Sequence, residues 1–204
     1  MTKSLAFLFL ACVPVFANGG AMTPAERAYL LDQLERSKRE MLASIQGLTE
    51  AQWKFKPAPA VWSIQECAEH IILAEDFIFG LSQQMLKTPA VPRPATSTAE
   101  VDRQIVARLQ DRSKKATAPE AITPSGKFAT PADAAREFTA GRDKTIEYVK
   151  STQDELRTHA GDGPAGRMDS YQVLVLLAAH SARHTAQILE VKANSGYPKT
   201  SAVQ

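Results

Sequence analysis

Two long stretches of this chain repeat one spacing, and that spacing calls for helices packed on helices. Ser63, Cys67, His70, Ala74, Phe77 and Leu81 are separated by steps of 4, 3, 4, 3 and 4 residues, and so are Val173, Leu177, His180, His184, Gln187 and Val191. Alternating steps of 4 and 3 bring side chains back to one face of an α-helix, the stripe that meets its neighbours. Leu174, Leu176, Ala178 and Ile188 widen the second stripe with apolar surface. Nowhere does a useful length of chain alternate with the period of two that a half-buried strand requires, and there is no internal repeat.

The punctuation between these stretches sets the helix count. Thr23-Pro24 followed by Glu26 is a helix start, with Thr as N-cap, Pro at the first helical position and an acid three residues after the cap. Leu30, Leu31, Leu34, Met41, Leu42 and Ile45 continue at helical spacing until Gly47, and a loop containing Trp53, Pro57 and Pro59 follows. Ser63 and Glu66 form the capping box of a second helix running to about Leu86. Pro89, Pro92 and Pro94 bar residues 88–97 from a helix interior. A more polar helix is expected over about Thr98 to Ala116, then a loop with Pro119, Pro124 and Gly126. Thr130-Pro131 opens another helix, with Phe138, Ile146 and Val149 on its apolar side, ending near Lys150. A glycine-rich loop at 161–166 leads to the last helix, capped by Asp169 or Ser170 and stopped after about Asn194 by Gly196 and Pro198. The expected fold is all-α: a four-helix bundle with an accessory helix in a long crossover.

The N-terminus reads as a targeting segment. Lys3 supplies a positive start, Ser4 to Phe16 is apolar, and Val15-Phe16-Ala17 offers small residues at a signal-peptidase site. The run is shorter than the roughly 20 residues a membrane-spanning helix needs. Residues 1–17 are therefore expected to be a signal peptide cleaved after Ala17, leaving residues 18–204 as one helical domain in the periplasm or outside the cell. Only Cys67 then remains, so no internal disulfide forms and helix packing must supply the stability. A net charge of +2, with no basic run interleaved with aromatics, argues against a nucleic-acid partner.

Three of the four histidines, His70, His180 and His184, occupy stripe positions where leucines belong. A polar group buried without a partner costs about 1–3 kcal/mol. Three imidazoles facing one bundle interior need a common explanation, which a metal ion provides. His180 and His184 are one turn apart on one helix face. A third imidazole from a facing helix completes a set that leaves coordination positions open, the pattern of catalytic rather than structural sites. The alternative is a set of core histidines bonded to side chains and water. By ligand type the set accepts zinc, nickel, iron or copper.

Neighbouring residues are open to a functional and a structural reading. Gln187 shares the histidine face and either orients a ligand or bonds a metal-bound water, or is a plain core amide. Glu66 lies one turn before His70 and is either a supporting carboxylate or simply the partner in the capping box. Glu69 is the other carboxylate near His70. Cys67 points toward the seam, as a ligand or as a small core residue. His159, before the glycine-rich loop, is expected to face solvent.

Trp62-Ser63-Ile64-Gln65-Glu66-Cys67-Ala68-Glu69-His70 resembles the W-S-x-x-E-x-x-x-H start of the second helix in the DinB-like superfamily. His180-Ser181-Ala182-Arg183-His184-Thr185-Ala186-Gln187-Ile188 resembles its H-x-x-R-H-x-x-Q-I motif in the last helix. Leu48-Thr49-Glu50-Ala51-Gln52-Trp53 and Lys56-Pro57 are similar to its first interhelical loop, and the resemblance spans roughly residues 24–195. It implies a four-helix bundle holding a divalent metal, zinc or nickel in family members, through His70, His180 and His184. Members include bacillithiol S-transferases, mycothiol-dependent isomerases and proteins described as metal-dependent hydrolases. Members often form homodimers, although no residue here locates an interface. This chain departs from the family pattern in its export segment and in the long, proline-rich stretch 88–130.

The resulting expectation is an exported metal-binding protein acting on a small molecule as a thiol transferase or hydrolase. Export weakens the thiol reading, because reduced thiol cofactors are scarce outside the cytoplasm. The alternative is a metal-binding or stress-related bundle without turnover.

Overall fold

The computed structural model describes residues 19–113 and 117–199, so the expected signal peptide lies outside the described residues. Four long helices form the bundle: α1 (Pro24–Ile45), α3 (Ile64–Met85), α5 (Pro131–Ser151) and α6 (Ser170–Lys192). Between them lie a short helix α2 (Glu50–Lys54), the accessory helix α4 (Ala99–Gln110), a 3-10 turn at Glu120–Ile122 and a hairpin of β1 (Ala160–Gly163) and β2 (Gly166–Asp169). No helix among the described residues is long and apolar enough to cross a membrane.

The helix starts follow the caps in the sequence. Thr23 with Glu26, Ser63 with Glu66 and Asp169 with Gln172 each form a reciprocal capping box. Thr49 with Gln52 does the same for α2. The structure therefore places a helical turn where a loop was expected, and Trp53 on that turn is fully buried. The 161–166 loop is likewise an antiparallel hairpin, pairing Gly163 with Gly166 across the Pro164-Ala165 turn. Helix α4 stops at Gln110 rather than Ala116, with Asp111 as its C-cap.

Helix directions follow from contacts at their ends. The Tyr171 hydroxyl donates to the Glu26 carbonyl at 2.8 Å, so α1 and α6 start together and run parallel. Ser82, near the end of α3, meets Ser170 at the start of α6 with hydroxyl oxygens 2.7 Å apart, so these two run antiparallel. Arg27 near the start of α1 donates to the Thr152 carbonyl after α5, making α1 and α5 antiparallel. Helices α3 and α5 consequently run the same way, and residues 86–130 have to return along the bundle between them. Helix α4 makes that return packed against α6. Flanked by α1, α3 and α4, α6 is buried continuously from Ser170 to Ala179, which explains its unbroken run of apolar residues.

The core falls into two apolar clusters. One, nearer the hairpin, includes Leu30, Leu34, Ile78, Ile146, Val149 and Leu177. The other includes Met41, Cys67, Ile71, Phe138, Ile188 and Val191. A polar layer crosses the bundle between them, with Ser37 from α1, Glu75 from α3, Arg142 and Thr145 from α5 and Ser181 from α6, all buried. Arg142 donates to both oxygens of Glu75, to the Leu34 carbonyl and to the Ser37 and Ser181 hydroxyls, so its charge is fully partnered.

A second buried arginine ties the hairpin end. Arg157 pairs with Glu26, Asp102 and Asp169 and lies 3.7 Å from the Tyr171 ring centroid. Its backbone N–H donates to the Gly20 carbonyl at 2.8 Å. A Cβ at Gly20 would run into Thr158 and Glu155, so the entering chain is held closely there.

Candidate metal centre

The antiparallel pairing of α3 and α6 sets His70 opposite the turn between His180 and His184. The three ring centroids lie 4.9 Å (His70–His180), 4.3 Å (His70–His184) and 4.5 Å (His180–His184) apart. One nitrogen from each ring lies within 4.8 Å of the others, so among the described residues these imidazoles form a group able to hold a metal ion.

Two of the rings are oriented by partners on their far side. His70 Nδ1 lies 2.7 Å from the Ile122 carbonyl oxygen, and His184 Nδ1 lies 2.9 Å from Gln187 Oε1. A carbonyl and an amide oxygen only accept, so both Nδ1 atoms carry the proton and both Nε2 atoms keep a lone pair. This is the arrangement that supporting residues impose on metal-binding histidines. Gln187 thus contacts His184 directly through its side-chain amide oxygen.

The electrostatics favour uncharged rings. Burial lowers the pKa of His70, against the opposing hydrogen bond to Ile122. Burial, with the proximity of His184, His70 and Arg183, holds His180 well below the usual histidine range. His184 is pushed down to about 3, chiefly by burial and then by His70, with Gln187 opposing. Neutral imidazole is the form that binds a metal. The donor set therefore fits a divalent cation in residue type, protonation and orientation.

Trp62 closes one side of the group, with its ring centroid 4.8 Å from that of His70 and 6.1 Å from that of His184.

The remaining candidates do not join the histidines. Glu66 accepts from the Ser63 N–H at 2.7 Å and pairs with Lys56, as its capping role requires. Glu69 turns to the loop at 125–127. Cys67 is fully buried in the apolar cluster, and burial pushes its thiol up to about 12, so it is a core residue. His159 lies by the hairpin, with Nδ1 2.8 Å from the Thr88 carbonyl oxygen. Sequence reasoning missed the Ile122 carbonyl and the Trp62 contact. A backbone oxygen leaves no signal in residue type, whereas Trp62 stands inside the motif that ends at His70.

The family model of the DinB superfamily matches residues 33–188, most of the chain. The chain belongs to the DinB superfamily. YuaE of Bacillus subtilis (strain 168) is 24% identical over 157 residues, covering 76% of this chain and 93% of that protein. The structure of YfiT from Bacillus subtilis, described as a probable metal-dependent hydrolase with an unusual four-helix bundle topology, superimposes with a TM-score of 0.58 at 12% identity. The match covers 87% of this DinB-superfamily chain and 92% of YfiT, and at that identity it speaks for the fold.

Proposed function

We propose that this DinB-superfamily protein is a metal-dependent hydrolase of small molecules that works outside the cytoplasm, with His70, His180 and His184 as its metal ligands and zinc or nickel as the metal. The observation that carries this reading is the convergence of three neutral imidazoles, two of them turned by the Ile122 carbonyl and by Gln187 so that Nε2 is left for a cation. The description of YfiT as a probable metal-dependent hydrolase supports the same chemistry. The signal-peptide pattern of residues 1–17 supports export, and export favours water over a low-molecular-weight thiol as nucleophile.

A divalent metal at such a site acts as a Lewis acid and lowers the pKa of a bound water or thiol toward neutrality. The chain's own residues do the rest. Three protein ligands leave positions open for a substrate. The Ile122 carbonyl and Gln187 fix two ring tautomers, and Trp62 narrows the approach beside His70. Neither Glu66 nor Glu69 is directed at the rings, so neither serves as a general base.

The test is elemental analysis of protein purified without a histidine tag, followed by assays with esters, amides and thiol–electrophile pairs. Zinc or nickel in the wild type, its loss from His180→Ala, and ester or amide hydrolysis abolished by a chelator are expected. Unchanged metal content in His180→Ala overturns the ligand assignment. Turnover only with a thiol makes the protein a transferase, and metal without any turnover makes it a binding protein.

A further inference from the structure

Consecutive residues of α3, Glu69 and His70, grip the same stretch of the crossover. His70 meets the carbonyl of Ile122. Three residues further on, Glu69 Oε1 accepts the Ser125 N–H at 2.9 Å and the Ser125 hydroxyl at 2.8 Å. Its Oε2 accepts the N–H groups of Gly126 at 2.7 Å and Lys127 at 2.9 Å. Gly126 has φ +84°, which allows three successive N–H groups to converge on one carboxylate as an anion-binding nest.

Glu69 is only 1% exposed, and among the described residues it has no salt bridge to a cation. Both its oxygens accept, and every hydrogen bond they receive among the described residues comes from residues 125–127, the pattern of an ionised carboxylate. A buried charge of this kind requires all its donors, and all of them come from the loop. The loop is also held without it: the Phe128 carbonyl accepts from Trp53 Nε1 at 3.0 Å and from Gln65 Nε2 at 2.8 Å, and Gln65 Nε2 reaches the Gly126 carbonyl at 3.3 Å. What Glu69 adds is the acceptor for the N–H groups of residues 125–127, on the side of the crossover that leads back to the oxygen presented to His70.

We infer that Glu69 is a positioning residue for the metal centre: by anchoring residues 125–127 it holds the Ile122 carbonyl against His70 Nδ1 and so fixes the tautomer and tilt of that ring. The inference rests on the metal-binding reading above. Glu69 touches neither the cation position nor the other histidines. It acts through the loop, and the Gln187 contact with His184 is independent of it.

The test uses the full mature chain with nitrogen-labelled histidine, observed by NMR both metal-free and with zinc, alongside zinc affinity measured by competition with a chromogenic chelator. In the wild type, protected ring N–H resonances are expected for both His70 and His184. Glu69→Gln sets an amide N–H group against the loop's own N–H donors. It is expected to remove the His70 resonance, spare that of His184 and weaken zinc binding by about tenfold or more. An unchanged His70 resonance or unchanged zinc affinity overturns the inference, as does loss of both resonances together, which marks a general structural role. If Glu69→Gln does not fold, Gly126→Ala disturbs the nest from the loop side, where a Cβ meets nothing within 4 Å. The same selective loss is expected, and its absence overturns the inference. A wild type that takes up no zinc overturns the metal reading instead, and the His70 resonance in the metal-free variant then decides the positioning role alone.

Discussion

The Arg142 guanidinium lies edge-on to the Glu75 carboxylate in the middle of the bundle, with Nε–Oε1 and Nη2–Oε2 both at 2.7 Å and neither side chain more than 4% exposed. The same guanidinium holds Ser181 at 2.7 Å, the residue after His180. Breaking a buried pair by removing one partner strands a charge in the core. Glu75→Gln and Arg142→Met are each expected to lower unfolding stability by about 3–5 kcal/mol, and Glu75→Leu with Arg142→Met to recover most of it. Urea denaturation of the three variants checks this.

The Gln187 side chain is half-buried, and its Oε1 lies 2.9 Å from His184 Nδ1. Gln187→Ala is expected to weaken zinc or nickel binding about 10–100-fold with an almost unchanged melting temperature. Gln187→Glu keeps an acceptor facing Nδ1 and is expected to restore most of the affinity. Chelator competition and a thermal melt on the same samples separate the two effects.

Cys67 has no accessible surface, and its thiol is pushed up to about 12. The native protein is expected to show no reaction with a thiol reagent at mildly alkaline pH and full reaction once unfolded. Cys67→Ala should leave metal content unchanged. A loss of metal in that variant would mark the cysteine as a ligand after all.

Acid sensitivity follows from carboxyls held low in the fold. Burial works to raise Glu26, but its contacts with Thr23, Arg157 and Arg93 keep it below the ordinary value of 4.5, and the 125–127 loop does the same for Glu69. A depressed folded pKa contributes stability that is fully present above the unfolded value and lost as pH falls through the folded one. Asp169 has the opposite sign, because burial outweighs Arg157 and raises it. Melting temperature of the metal-free protein is therefore expected to drop first as pH falls through about 6.5, where His70, His180 and His184 stay neutral in the fold but protonate in the unfolded chain, and to drop further below about 4.5, a second limb that Glu69→Gln should flatten.

Much of this architecture was legible because caps and stripes are local. Thr23, Ser63 and Thr130 mark helix starts to within a residue, His70 lies on the buried face of α3, and His180 and His184 are half-buried on α6 between buried Leu177 and Val191. The α3 stripe fails at its far end. Phe77, placed on it by the 3.5-residue spacing, is 44% exposed, while Ile78, Ser82 and Met85 are buried. A straight helix turns every 3.6 residues, so a heptad pattern drifts about 20° per repeat and the buried face moves to the next residue. Helix α2 was hidden by its length, five residues, although Thr49 and Gln52 carry the signature of a cap. The hairpin was hidden by composition, since Gly161, Asp162, Gly163 and Gly166 show no apolar alternation. Arg142 was hidden by its type, because a cation at the centre of a core is stable only when partners from three other helices converge on it, and no local pattern reports that.

The Arg157 junction settles where the molecule can be tethered. Chain arriving at Gly20 is clasped beside the hairpin, level with the first turn of α6. His180 and His184 lie roughly 15–21 Å further along that rod, at 1.5 Å of rise per residue. A fusion partner, a bead or a lipid attached ahead of residue 20 is thus separated from the imidazole cluster by about half the length of the barrel of helices, and immobilising the protein by that end should leave solutes free to reach the rings.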